Sequence, residues 1–187
     1  QGTLAGMGGS RRDRFYLGAW KAAEGLVYDN YKPSIHSSAA QFPKGWRPPA
    51  DWPRVWSIDW GFVNPTSLLI MAFDGDGRVY VYREFYQTHK RAEEVARWGK
   101  RLIELGEEPL PIAVLCDHDP ECAATFKLYG PPGIQMTLAD KNDKLGGIEA
   151  TQERFDIEGD GRARLYLVPT MLDHPVDPVL EYAGKPS

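Results

Sequence analysis

The sequence predicts a mixed α/β domain in which a five-stranded sheet carries helices on both faces. Three strand-like segments follow one another with only short turns between them, which is typical of an antiparallel meander. Two later strand-like segments alternate with helical patterns, as crossover units do. Two of the apolar segments stop at a carboxylate, Asp59 and Asp117. Because a charge is costly to bury, each acid marks the point where its strand leaves the sheet.

The composition is that of an ordinary globule. Of the 187 residues, 42% are hydrophobic and 26% are charged, a length that suits one well-packed domain. Proline and glycine cluster at the two ends of the chain. We therefore expect residues 1–50 to form an arm that packs on a compact domain at 51–187. No apolar run approaches the ~20 residues of a membrane helix, so no membrane partner is expected.

The first three predicted strands are 55–60, 67–73 and 78–85. A turn of sequence Asp-Gly-Asp-Gly at 74–77 joins the last two, because glycine accepts the positive φ that a tight hairpin requires. Residues 78–85 alternate between apolar and polar side chains, which predicts a half-buried outer strand.

Helical and strand patterns then alternate to the end of the domain. Apolar residues at helical spacing predict a helix within 88–106, and further helices are predicted at 120–129 and 144–155. The segments 112–116 and 134–138 are the remaining two strands, with 165–168 as a candidate for one more. The order is therefore β-β-β-α-β-α-β-α.

Asp59 and Asp117 are candidate ligands of divalent cations. If their strands are neighbours, the two carboxylates form half of a site for a hard metal ion. The competing interpretations are a turn residue for Asp59 and a loop acid for Asp117. Aspartate is a poor strand former, which favours a functional role for the first of them. Asp119 directly precedes Pro120, the pattern of a helix N-cap, so it is a second-tier metal candidate.

Several short motifs keep a characteristic order along the chain. They are Gly18-Ala19-Trp20, Glu24-Gly25-Leu26-Val27-Tyr28, His36, Ile58-Asp59-Trp60-Gly61, Asn64-Pro65-Thr66, Glu84-Phe85-Tyr86, Cys116-Asp117, and Lys141 through Lys144 before Gly147-Ile148. In this order they resemble the C-terminal nuclease domain of phage terminase large subunits, a branch of the RNase H-like nucleases. The resemblance covers most of the chain. Each motif alone is weak, but their order is fairly specific.

The resemblance implies an RNase H-like fold and a metal-dependent endonuclease that cuts concatemeric double-stranded DNA. Two ions of Mg²⁺ or Mn²⁺ would be held by acids. Asp59 matches the first-strand acid, which would bridge both ions, and Asp117 matches the fourth-strand acid, which would hold one. Lys141 or Lys144 would orient the DNA phosphate. The third acid of such domains is not found, so we expect the domain to be truncated at its C-terminal end.

The same resemblance implies a set of partners. Residues 1–50 would lead in from an upstream ATPase domain of the same polypeptide, and double-stranded DNA would be the substrate. The portal and the small terminase subunit would be further partners, and the protein would act in the host cell cytoplasm. The net charge of −4 counts mildly against a large DNA footprint. Carboxylates kept for metals would themselves lower that total.

Three other motifs are weaker. Cys116, His118 and Cys122 do not have the spacing of a structural zinc site. Residues 156–161 begin like a calcium-binding loop, but its twelfth position is Leu167, so a hairpin turn is predicted instead. Residues 184–187 lack the glycine spacing of a phosphate-binding loop.

Two alternatives to the nuclease remain open at the level of sequence. The missing third acid gives weight to a non-catalytic module of the same fold that binds DNA or docks to a partner. The other alternative is a fragment of an actin-like ATPase fold, which also places Asp-x-Gly after its first strand. Here Phe62 and Val63 follow Gly61, where small hydroxyl residues would cradle a phosphate, so this alternative is weaker.

Overall fold

The computed structural model describes residues 27–140 and 142–172, together with Asp177 and Val179. Within these ranges the chain forms a six-stranded sheet and four helices. The elements are α1 Pro33–His36, β1 Arg54–Asp59, β2 Thr66–Phe73, β3 Val79–Gln87, α2 Ala92–Glu104, β4 Ala113–Cys116, α3 Pro120–Tyr129, β5 Met136–Leu138, α4 Lys144–Phe155 and β6 Leu165–Leu172.

The sheet has the strand order β5-β4-β1-β2-β3-β6. β2 pairs antiparallel with both of its neighbours, β1 and β3. The other three pairings, β1 with β4, β4 with β5 and β3 with β6, are parallel. Five strands therefore run in one direction and end at the same edge of the sheet. We call this the carboxyl edge; it contains the C-terminal ends of β1, β3, β4, β5 and β6.

The predicted fold class is confirmed, including the antiparallel meander of the first three strands. The sheet has one strand more than the five predicted. The candidate segment 165–168 is part of the longer strand β6, which extends the sheet beyond β3. The predicted helix within 88–106 forms over Ala92–Glu104.

The hydrophobic core lies between the sheet and the helices α2 and α3. Trp56 of β1 is fully buried, and Gly99 of α2 packs directly on its indole ring. Phe126 of α3 is also buried and meets Trp60 edge to face, with ring centroids 5.9 Å apart. The chain crosses back over the sheet from β5 to β6 through α4. Because such crossovers are right-handed, α4 lies on the face opposite α2 and α3.

The arm that precedes β1 packs on the domain through aromatic side chains. Tyr31 and the buried His36 contact Phe155 at the end of α4, with ring centroids 5.4 and 5.0 Å away. Phe42 is buried against Tyr80 of β3. The described part of this segment, from residue 27 onward, thus contacts the domain through these rings. Residues 1–26 lie outside the described residues, and the boundary between 1–50 and 51–187 stays a prediction.

A buried group of charges joins β1 and β3 to the loop that follows α2. Glu108 is 4% exposed and lies 3.2 Å from Nε of Arg83, a fully buried residue, and 3.7 Å from Nε of Arg54. The hydroxyl of Tyr82 donates to Glu108 and accepts from Arg54 Nε at 2.8 Å. Burial, and then the charge of Glu108, raises the pKa of Tyr82, so this hydroxyl stays a donor. These contacts fix the loop after α2 against the sheet.

A second ionic cluster ties the β2–β3 hairpin to the loop before β6. Arg78 donates to Asp76 of its own turn and to Asp160, the latter at 2.6 Å. This contact with Arg78 lowers the pKa of Asp160. The prediction that residues 156–161 form a hairpin turn between two strands is wrong. The segment connects helix α4 to strand β6. It closes on itself through a bond from the Glu158 amide to the Arg162 carbonyl, 2.9 Å long.

Candidate metal centre

The structure brings Asp59 and Asp117 to neighbouring positions at the carboxyl edge. Ile58 of β1 is paired with Cys116 of β4 in parallel register, and the amide of Asp117 donates to the carbonyl of Ile58 at 3.1 Å. Asp59 is the last residue of β1, and Asp117 is the first residue after β4. Adjacent strands lie about 4.8 Å apart, so the two backbones that carry these acids are neighbours.

The two carboxylates also share one face of the sheet. Ile58 and Cys116 are buried on the face that packs against α2 and α3. Successive side chains of a strand point to opposite faces, so Asp59 and Asp117 both project from the other face. Asp59 is exposed to solvent and Asp117 is half-buried. The pair is therefore open at the edge, where a cation and a substrate can reach it.

Hydrogen bonds hold the chain around Asp117 in place. Its carboxylate accepts the backbone amide of His118, and the His118 ring contacts the carbonyl of Ala139 through Nε2. The Ala139 amide in turn donates to the carbonyl of Cys116 at 2.8 Å. The loops that follow β4 and β5 are thus joined, which fixes the direction in which Asp117 leaves its strand.

Asp119 is engaged elsewhere, as the N-cap of α3. Its carboxylate accepts the amide of Cys122 at 2.9 Å, and Pro120 occupies the first helical turn. Within the described part of the chain, no three His, Cys, Asp or Glu residues are grouped so that they could hold a metal ion. Asp59 and Asp117 therefore stand as a pair, and Asp119 does not complete a cluster with them.

The two cysteines near the pair are free thiols. Burial raises the pKa of Cys116. Burial, followed by the hydrogen bond with Asp119, raises the pKa of Cys122 to about 11. Zinc binds thiolates, and a raised pKa makes the thiolate harder to form, so this environment does not favour the zinc interpretation.

Lys144 lies on the connection that leaves β5 at the carboxyl edge. It is the first residue of α4 and is exposed, while Asp143 caps the helix by accepting the amide of Gly146 at 2.7 Å. A positive charge at a helix N-terminus interacts unfavourably with the helix dipole, so Lys144 does not occupy this position for the stability of α4. Lys141 lies outside the described residues.

Asp177 is an acid at the carboxyl edge that the sequence interpretation missed. It is 3% exposed and accepts both the amide and the hydroxyl of Thr88, the residue that follows β3. It also accepts the amide of Val179 at 2.8 Å. A sequence signal for Asp177 does exist: Asp177-Pro178 repeats the Asp-Pro pattern of Asp119-Pro120, in which the aspartate accepts a backbone amide. Its carboxylate ties the chain after β6 to β3.

The fold resembles solved structures of large terminases. The large terminase from a thermophilic bacteriophage matches with a TM-score of 0.62 over 88% of this chain, at 22% sequence identity. The P22 large terminase nuclease domain matches with a TM-score of 0.56 over 79% of this chain and 74% of its own length, at 15% identity. The thermophilic phage enzyme in complex with ADP gives a TM-score of 0.60. No protein-family model and no curated protein matches the sequence.

The fold defines the class: a mixed α/β sheet with helices, similar to that of solved large terminases. More particularly, the chain has the fold of a large-terminase nuclease domain, as the order of its motifs predicted. It spans 39% of the length of the thermophilic phage's large terminase. In the described ranges, no helix is long and apolar enough to cross a membrane.

Proposed function

We propose that this chain is the nuclease domain of a viral DNA-packaging terminase large subunit, and that it cuts concatemeric double-stranded DNA with divalent cations. One observation carries the proposal. Asp59 and Asp117 leave adjacent parallel strands at the same edge and on the same face, in a fold similar to that of the P22 large terminase nuclease domain.

The donor set fits Mg²⁺ or Mn²⁺. These ions prefer carboxylate oxygens, need few protein ligands and keep several waters. Among the described residues, none makes a hydrogen bond or ion pair with the Asp59 carboxylate, and it is exposed. A carboxylate that is exposed at a strand end and has no partner among the described residues is available to a cation. In the proposed site Asp59 would hold both of two ions and Asp117 would hold one.

Two bound divalent ions would stabilise the negative charge that develops on the phosphate and on the leaving oxygen. The protein side chains would do the positioning. Asp59 and Asp117 would fix the cations at the carboxyl edge, on backbone that is held by the paired strands. Lys144, and Lys141 near it in sequence, would attract and orient the DNA phosphate through their positive charge.

Cleavage of a plasmid and of a linear duplex in Mg²⁺ or Mn²⁺ tests the proposal. Asp59→Asn and Asp117→Asn should each slow cutting about a thousandfold, because the loss of several kcal/mol of transition-state stabilisation is expected. Asp51→Asn is the matched control, since Asp51 is an exposed acid ahead of β1 at the opposite edge. If Asp59→Asn cuts as fast as the wild type, the proposed metal centre is wrong.

One observation favours a second candidate, a DNA-binding module without catalysis. In the part of the chain that the structure describes, no three His, Cys, Asp or Glu residues are grouped so that they could hold a metal ion. Such a module would bind duplex DNA with a steep dependence on salt and leave it uncut at every concentration of Mg²⁺ or Mn²⁺. The cleavage assay, run beside a binding assay, separates the two candidates.

The proposed partners follow from the same similarity. The thermophilic phage's large terminase has been solved in complex with ADP and with ATP-γ-S, and this chain spans 39% and 41% of it in those structures. We therefore expect an ATPase domain upstream in the same polypeptide, and assembly with a portal and a small terminase subunit in the host cytoplasm. Co-purification of the full-length protein with the two subunits would test the assembly.

A further inference from the structure

An apolar tip projects from the carboxyl edge directly after Asp59. The β1–β2 loop exposes two large apolar side chains in succession, Phe62 at 52% and Val63 at 77%. Both lie where a substrate of the Asp59–Asp117 pair would approach. Single exposed apolar residues are common, but two together at the tip of a loop beside a candidate site are a feature to explain.

The loop that carries this tip is rigid. The hydroxyl of Thr66 accepts the amide of Gly61 at 3.1 Å and donates to the carbonyl of the same residue at 2.7 Å. A Cβ atom on Gly61 would lie 2.4 Å from the carbonyl oxygen of Asn64 and 2.6 Å from that of Pro65, so only glycine fits. The chain therefore folds tightly on itself and holds the tip outward.

A second loop supports the tip from the side. The amide of His89 donates to the carbonyl of Phe62 at 2.7 Å, and the two rings meet edge to face with centroids 5.2 Å apart. His89 has φ of 54°, a left-handed conformation that is uncommon outside glycine. Backbone strain of this kind persists where the surroundings enforce it, and it is frequent at functional sites.

The supporting loop is also basic. Lys90 and the exposed Arg91 follow His89. The acids Glu93 and Glu94 come next, in the first turn of α2, and Glu94 lies 3.5 Å from the Lys90 ammonium. An apolar tip with a basic flank is complementary to duplex DNA. Apolar side chains pack against bases and sugars, and basic side chains pack against phosphates.

We propose that Phe62 and Val63 form a wedge that packs into duplex DNA beside the phosphate that cations bound at Asp59 and Asp117 would hold. The basic flank of Lys90 and Arg91 contacts the neighbouring phosphates. The wedge deepens the proposed nuclease function, on which it rests for the identity of its ligand. Its rigidity matters, because a wedge that yields cannot separate or bend base pairs.

Binding of a fluorescently labelled duplex by the full 187-residue chain tests the wedge, in Ca²⁺, which also takes carboxylate ligands, with a gel run beside it to show that the duplex stays uncut. Phe62→Ala should weaken binding about tenfold, since contact between an aromatic side chain and a base is lost. Phe62→Trp should retain most of the affinity. The matched control is Leu128→Ala, because Leu128 is 73% exposed on the last turn of α3, at the opposite edge of the sheet.

A duplex that carries 2-aminopurine reports on the wedge directly. Its fluorescence should rise when the wild-type chain binds and should rise less with Phe62→Ala. Equal affinity of Phe62→Ala and Leu128→Ala for DNA would overturn the wedge, and so would a wild-type chain that binds no duplex. A wild-type chain that binds DNA through Phe62 but never cuts it would instead support the wedge and contradict the nuclease.

Discussion

Replacing Gly99 with alanine should destabilise the protein, although alanine is the better helix former. Gly99 lies in the interior of α2, and a Cβ atom there would be 2.7 Å from Cζ3 and 3.1 Å from Cη2 of Trp56. The indole is fully buried and rigid, so it cannot move aside cheaply. Overpacking of this kind costs about 1–3 kcal/mol, while helix propensity returns about 1 kcal/mol. The net expectation is a loss of about 1 kcal/mol.

Gly147→Ala is the control that isolates the contact. Gly147 lies in α4, is exposed, and has no atom within 4 Å of the position that its Cβ would take. The full gain of about 1 kcal/mol is therefore expected. Urea unfolding followed by far-ultraviolet circular dichroism should separate the two variants by about 2 kcal/mol, with opposite signs relative to the wild type. If Gly99→Ala stabilises the protein as much as Gly147→Ala, the packing of α2 on the sheet is misassigned.

Two further predictions concern the ionic clusters. Glu108→Gln should cost about 3–5 kcal/mol in urea unfolding, because it removes the carboxylate between two buried guanidinium groups. Glu104→Gln, on the exposed end of α2, should change stability by less than about 0.5 kcal/mol, and an equal effect of the two would contradict the first value. Arg78→Ala should weaken the acid sensitivity of the melting temperature. The lowered pKa of Asp160 stabilises the fold above its ordinary pKa of 3.8, and that contribution is lost as pH falls through the lower folded pKa. Melting temperatures of the wild type and of Arg78→Ala, measured between about pH 6 and pH 2.5, test this prediction. Identical pH profiles of the two proteins would exclude the contact between Arg78 and Asp160.

The sequence predicted the acid pair because its signals are local. Asp59 and Asp117 each end a short apolar run, and the alternation of strands with helices implies that β1 and β4 run in parallel. Parallel strands of one sheet end at a common edge, so the two acids could be placed together without knowing any distance. The capping role of Asp119 was equally local, since it depends only on the adjacent Pro120.

Other features depend on contacts between distant segments and could not be predicted in this way. The pairing of β6 with β3 brings together residues that are separated in the chain by three helices, α2, α3 and α4. The burial of Arg83 and Glu108 has no local signature, because charged residues are usually exposed and only their mutual contact explains their position. The bond between Asp177 and Thr88 likewise depends on where β6 ends relative to β3.

Anomalous diffraction from crystals soaked in Mn²⁺ tests the central claim most directly. If Asp59 and Asp117 share divalent cations, a manganese peak will lie at the carboxyl edge within bonding distance of both carboxylates, about 2.0–2.2 Å. The peak should disappear in the Asp59→Asn protein. Full occupancy of manganese elsewhere, with the edge between β1 and β4 empty, would contradict the metal centre.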